Sequence, residues 1–255
     1  MSILLTAVQS LDARLPDSPR HRTILALDVE GSTTRTNPDK RRLRRAMYQL
    51  TERALRAALI GDEYLEPKSD RGDGVLILIR PVDEVPKTLI LGSLIPALAG
   101  LLDEHNATVS RPELRMRLRA VVHAGEVHKD ENGFYGNDID AAFRLLEAPK
   151  LKKALKDTPE SPLILVVSEE IYHSIVQQEY LDAGPFQPLV RVRVGHRIRR
   201  GWVNIPVPAA VPPEPSTAGR RAQGRLAPAP RLAIAPLNGH EPGVSELEGP
   251  PLEPG

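Results

Sequence analysis

Apolar residues follow two spacings along this chain, and their order predicts a fold. The run Thr23-Ile24-Leu25-Ala26-Leu27-Asp28 is apolar without alternation, as in a strand buried on both faces. Leu43, Met47, Leu50, Leu55 and Leu59 then recur at helical spacing behind Asn37-Pro38-Asp39. That tripeptide supplies a polar cap, a proline for the first turn and an acid near the positive end of the dipole. The helix should run to about Leu59 and stop at Gly61. Tyr64–Ser69 and Val75–Ile79 read as strands joined by the turn Arg71–Gly74. Pro86 to about Glu104 reads as a second helix, with Leu89, Leu91, Ile95 and Leu98 apolar. Leu114–His123 alternates arginine with apolar residues, a half-buried strand. The order β-α-β-β-α-β predicts an α+β chain with a ferredoxin-like split core.

Further elements extend this core. Asn137–Glu147 reads as a helix and Leu163–Val167 as a buried strand. Ser168 should cap a helix through Gln177, and Val190–Val194 with Trp202–Pro206 should form a closing strand pair. Three segments are expected: a lead-in over 1–20, a globular domain over 21–207, and a disordered Pro-rich tail over 208–255.

Composition narrows the possibilities. The chain has 255 residues, 41% hydrophobic and 26% charged, enough for one domain with a sizeable core. A net charge of +1 points away from nucleic acid, and no apolar run is long enough to span a bilayer. Cysteine is absent, which excludes disulfides, thiolate metal sites and cysteine nucleophiles. The start lacks a basic leader, and the expected location is the cytoplasm.

The candidate chemistry lies in two aspartates. Asp28 ends the first strand, and Asp73 sits in Arg71-Gly72-Asp73-Gly74 before the third. If those strands are neighbours, the carboxylates converge at one end of the sheet. Paired carboxylates suit divalent ions that carry a nucleoside triphosphate: one lowers the pKa of an attacking hydroxyl, the other steadies the leaving pyrophosphate. Gly31, Ser32 and Thr33 follow Asp28, and small residues there let backbone N–H groups approach phosphates. His123 reads as a structural residue. Arg144 shares a helical face with Asp140 and serves either a helix salt bridge or a triphosphate.

Together these stretches resemble the catalytic domain of class III nucleotide cyclases. The matching segments are Asp28-Val29-Glu30-Gly31-Ser32-Thr33, Gly72-Asp73-Gly74, His123-Ala124-Gly125 and Gly136 to Arg144, over roughly residues 22–180. The resemblance implies attack of a ribose 3′-hydroxyl on the α-phosphate, giving a 3′,5′-cyclic monophosphate and pyrophosphate. It implies Asp28 and Asp73, assisted by the Val29 carbonyl, as ligands of two Mg2+ or Mn2+ ions. It implies Arg144 as the stabiliser of transition-state charge, acting across a head-to-tail homodimer with interfacial active sites.

Two positions depart from the pattern. Asp140 stands where the family's helix usually has asparagine, and a carboxylate there adds repulsion and cannot donate hydrogen bonds. Ser69 stands where adenine-specific members carry lysine and guanine-specific members glutamate; Lys68 is one residue off and so faces the other side of a strand. Stand-alone bacterial cyclases similar to this family make cyclic CMP or cyclic UMP in antiphage defence and also lack the purine selectors. Tyr64, Phe134 and Tyr135 could wall a smaller pocket or pack the core. The alternatives are a degenerate domain that binds nucleotide or a partner without turnover, and another palm-type polymerase or dinucleotide cyclase.

Overall fold

The computed structural model describes residues 18–211. Most of the lead-in expected over 1–20 and of the tail expected over 208–255 lies outside the described residues. Strand β1 (Arg20–Val29) lies in the middle of the sheet, antiparallel to β3 (Gly74–Ile79) on one side and to β4 (Leu118–Asp130) on the other. With β2 (Ser69–Asp70) the order β2-β3-β1-β4 is the one a split β-α-β-β-α-β unit produces, as expected. Beyond β4 come β6 (Leu163–Ser168), parallel to it, then β8 (Arg197–Asn204) and β7 (Gln187–Val194). β5 (Gly133–Tyr135) pairs with the far end of β4.

Helices cover both faces of this sheet. Helix α1 (Asn37–Ala57) and helix α2 (Ile95–Thr108) pack on Leu25, Leu27, Ile77 and Ile79. Helix α3 (Asn137–Leu146) and helix α4 (Pro149–Asp157) pack on Ile24, Ala26, Leu76 and Leu78. Burial on both faces is why β1 and β3 read as continuous apolar runs.

Several boundaries differ from expectation, each for a local reason. Thr36, not Asn37, caps α1, its hydroxyl accepting the Asp39 N–H. The helix stops through Leu59, not Gly61: Leu59 takes φ 56° while the Ile60 N–H returns to the Leu55 carbonyl at 2.9 Å. Leu59 is therefore 85% exposed and outside the core. The strand expected over Tyr64–Ser69 shrinks to β2 and a bridge between Leu65 and Ile79, because Pro67 cannot donate to the ladder. Pro112–Leu114 forms a 3-10 turn, so β4 begins at Leu118 and continues past His123 to Asp130. The second helix is entered through a turn at Lys87–Leu89 and a π-helical turn at Ile90–Leu94. After Ser168 the helix runs as expected, as an α-turn at Glu169–Ile171 and a π-helical stretch at Tyr172–Val176, but among the described residues the buried Ser168 hydroxyl has no hydrogen-bond partner and caps nothing. The closing strands start earlier than expected, and α4 and β5 were not anticipated.

Candidate active site

The two aspartates meet because β1 and β3 are neighbours running in opposite directions. Asp28 lies opposite Gly74 on one side and Arg119 on the other. Gly74 has no room for a side chain: a Cβ there would sit 2.4 Å from the Leu27 carbonyl oxygen. Asp73 immediately precedes it in the exposed turn, where Gly72 takes φ 77°. The Val29 N–H donates to the Asp73 carbonyl at 3.2 Å, and the Ser32 hydroxyl donates to the Asp73 carboxylate. Arg44 of α1 reaches over to hold the turn, ion-paired with Asp70 and donating to the Gly72 carbonyl at 2.5 Å.

These residues open onto one cavity of about 530 Å³. Asp28, Val29, Gly31, Ser32, Thr33 and Asp73 line it, together with Glu30, Arg119, Glu147, Lys152 and Lys156. Gly31 adopts φ 67°, which turns the backbone sharply out of β1. A second recess of about 330 Å³ shares Val29, Ser32, Thr33 and Asp73, and adds Lys40, Arg41 and Arg44 from α1.

The electrostatics of Asp28 are unusual. Burial pushes its carboxyl up to about 6, against the pull of the Arg119 guanidinium; the Asp73 and Glu147 charges push the same way as burial. Arg119 ion-pairs with Asp28 and lies 3.6 Å from Glu147, and among the described residues its buried Nε finds no partner. Glu147 also pairs with Lys152 at 2.5 Å. Among the described residues no three His, Asp or Glu side chains converge on one point. A metal hold here would rest on two carboxylates and backbone oxygen. That all-oxygen donor set suits Mg2+ or Mn2+, ions that bind carboxylate and carbonyl oxygens.

Other residues singled out from the sequence lie elsewhere. Lys68 pairs with Glu52 of α1 at 3.1 Å, and Ser69 is half-buried in β2 opposite Leu76. Neither lines the carboxylate cavity. Asp140 and Arg144 are exposed on α3, and among the described residues neither side chain has an ion-pair or hydrogen-bond partner. They form no helix salt bridge with each other. Phe143, beside Arg144, stacks under Arg71 of the Asp73 turn, with the guanidinium 4.9 Å from the ring centre. Tyr64 and Phe134 pack against the two cores, while Tyr135 is exposed and stacks on His128.

His123 is buried, as a structural histidine should be. Its Nε2 lies 3.3 Å from Asp138, whose other oxygen accepts the Glu126 N–H at 2.8 Å. The His123 hydrogen bond holds the Asp138 carboxyl below its usual range. A Cβ on Gly125 would sit 2.2 Å from Asp138, so the glycine is what lets α3 dock on β4.

Sequence reasoning missed Arg119, Glu147, Lys152 and Lys156. Arg119 belongs to the alternating stretch Leu114–His123, which reads as a half-buried strand without singling it out. Its register opposite Asp28 was the available signal. The lysines lie on α4, whose Leu151 and Leu155 carried a faint helical spacing.

No protein-family model matches the chain, and no curated protein sequence does. Solved structures do match in fold. An adenylate/guanylate cyclase/hydrolase from Silicibacter pomeroyi superposes with a TM-score of 0.54 at 18% identity, covering 74% of this chain and 98% of that one. The guanylyl cyclase Cya2 gives 0.51 at 14% identity, covering 74% and 93%. The guanylate cyclase domain of RhGC from Catenaria anguillulae, solved in complex with GTP, gives 0.50 at 14% identity, covering 73% and 97%. The chain has the fold of the adenylate and guanylate cyclase catalytic domains.

Proposed function

We propose that this chain, folded like a cyclase catalytic domain, is an active nucleotide cyclase. The ribose 3′ oxygen of a nucleoside triphosphate bonds to the α-phosphorus as its proton passes to solvent water. The bond from that phosphorus to the β-bridging oxygen breaks, and pyrophosphate leaves with the electron pair. The observation that carries this reading is the convergence of Asp28 and Asp73 in one cavity at the end of β1. Asp28, Asp73 and the Val29 carbonyl are the groups to hold two Mg2+ or Mn2+ ions, which supply Lewis-acid activation of the hydroxyl and charge neutralisation of the phosphates.

The chain's own residues do the rest. Backbone at Gly31, Ser32 and Thr33 cradles phosphate, and Arg119 places a fixed cation at the cavity wall. Arg144 is exposed, without a partner among the described residues, and outside the cavity of its own chain. That supports a role across a homodimer, on nucleotide held by the other subunit's aspartates. Asp140, one turn earlier, faces the same way and modulates that charge. Two of the fold neighbours were solved with GTP and with ATPαS. For this chain we favour CTP or UTP: Ser69 replaces the purine selector, and Lys68 is held by Glu52. A cytoplasmic role in antiphage signalling would follow from that base.

The test is incubation of purified protein with ATP, GTP, CTP or UTP and Mn2+, with products separated by mass. A cyclic monophosphate from one nucleotide establishes the activity and its base. Nucleotide binding by folded protein, with no product from any of the four, overturns the reading.

A further inference from the structure

Helix α4 stands on the rim of the carboxylate cavity. Its Leu151 and Leu155 are fully buried in the core, and Lys152 and Lys156, each one residue further on, line the cavity. The two lysines are four residues apart and so share a face of the helix. Arg117, just before β4, fixes the end of α4. Its guanidinium donates to the Leu155 carbonyl and, at 2.8 Å, to the Thr158 carbonyl, and it pairs with Glu30 at 3.1 Å. The Glu30 N–H donates back to the Arg117 carbonyl at 2.9 Å. One residue thus ties the C-terminal end of α4 to the turn at Gly31.

The cavity's third cation, Arg119, is already held by Asp28. Positive charge for a further ligand must therefore come from α4. Lys152 pairs with Glu147 at 2.5 Å, and the same carboxylate lies 3.6 Å from Arg119. Glu147 is 51% exposed, so an anion that can swing away sits between cations from β4 and α4. Among the described residues Lys156 has no ion-pair or hydrogen-bond partner. A lysine in the last turn of a helix favours the dipole, which accounts for Lys156 alone. It does not account for a carboxylate shared by Lys152 and Arg119 at a cavity wall. Lys153 shows the solvated alternative on the same helix: it is 73% exposed, pairs with Asp157 at 2.6 Å and lies outside the cavity.

We propose that α4 grips the terminal phosphates of the nucleoside triphosphate, Lys152 and Lys156 binding them while Glu147 turns out to solvent. Contacts run from Asp28 through Arg119 and Glu147 to Lys152, a row of alternating charge. A row suits a chain of phosphates better than a single one. A terminal phosphate carries more charge and more acceptor oxygens than a carboxylate, so it displaces Glu147 from Lys152. Lysine binds phosphate as a point charge, free to follow it on a flexible stem. The same two ammonium groups then stabilise the charge that collects on the leaving pyrophosphate. The inference rests on the reading of this cavity as a triphosphate site and adds the residues that hold the leaving end.

The experiment is isothermal titration calorimetry of the full chain with inorganic tripolyphosphate and Mg2+, and with orthophosphate for comparison. Tripolyphosphate should bind more tightly than orthophosphate. Lys152→Met and Lys156→Met should each weaken its binding about tenfold, the scale of a hydrogen bond to a charged group. Lys153→Met removes the same charge from the same helix outside the cavity and should change affinity by less than about twofold. Glu147→Gln should tighten binding, because the competing carboxylate is gone. No tripolyphosphate binding, losses at Lys152 and Lys156 no larger than at Lys153, or unchanged or weaker binding by Glu147→Gln would each overturn the proposal. Lysine-dependent tripolyphosphate binding without a cyclic product from any nucleotide would uphold the grip and overturn cyclase turnover. A cyclic product whose KM rises no more in Lys152→Met and Lys156→Met than in Lys153→Met would do the reverse.

Discussion

Arg119 lies across the strand pair from Asp28 and holds its carboxylate in a buried ion pair. Among the described residues neither group has another full-strength partner: Arg119 otherwise reaches Glu147 at 3.6 Å, and its Nε is unbonded. Removing one member of such a pair leaves the other uncompensated. Arg119→Gln should destabilise the fold by about 2–4 kcal/mol in urea titrations. Adding Asp28→Asn should recover a large part of the loss. Additive losses in the double variant would contradict the pairing.

Asp28 also sets a pH dependence. Its folded pKa, about 6, lies above the ordinary 3.8. As pH rises between those values the unfolded chain ionises first, so the folded state loses stability, and the loss is complete above about 6. Wild type should therefore lose about 2–3 kcal/mol relative to Asp28→Asn as pH goes from 3.5 to 7. Any offset from orphaning Arg119 is the same at every pH in that range. A pH-independent difference between the two proteins would refute the assignment.

Metal binding should titrate in the same window with the opposite sense, since ligands bind ions only when deprotonated. The thermal stabilisation by Mn2+ should be full above pH 6 and fade below it. Asp73→Ala should lose that stabilisation, and with it turnover, while its metal-free melting stays within about 1 kcal/mol of wild type, because the side chain is on an exposed turn. Retained turnover in Asp73→Ala would remove the carboxylate pair from the chemistry.

Arg144→Ala should be inactive alone, as should Asp28→Ala. Mixing the two should restore part of the activity if each active site takes one residue from each subunit. In an equimolar mixture a quarter of the sites would combine intact halves under random pairing, and dilution should abolish the rescue. No rescue at any ratio would count against the interfacial arrangement.

Gly125→Ala tests the docking of α3. The new methyl group would lie 2.2 Å from the Asp138 carboxylate and force it off His123 and the Glu126 N–H. A loss of about 1–3 kcal/mol is expected, typical of overpacking. Unchanged melting would mean that the helix can shift without cost.

The core of the fold was legible because both sheet faces are covered: Ile24 to Leu27 and Val75 to Ile79 could only be buried strands. The order of helices and strands then followed. Boundaries were less legible where tertiary context chose among residues of similar propensity. Thr36 took the cap beside Asn37, and Leu59 accepted the left-handed position while Gly61 stayed extended. In the site, Asp28 and Asp73 were readable because each is bracketed by glycine or strand signals. Arg119, Glu147 and Lys152 were not, since charge on an alternating strand or an amphipathic helix looks solvated until the register is known.

The two carboxylates are anchored unequally. Asp28 is part of the central strand, buried on both sides by ladder partners, whereas Asp73 hangs on a turn pinned chiefly by Arg44 and Ser32. The pair is thus a fixed jaw and a hinged one. Amide exchange should find the fixed jaw protected to the limit of global unfolding and the hinged jaw opening far more often, so that whatever loosens the grip of Arg44 on that turn can disarm the site without melting any other part of the molecule.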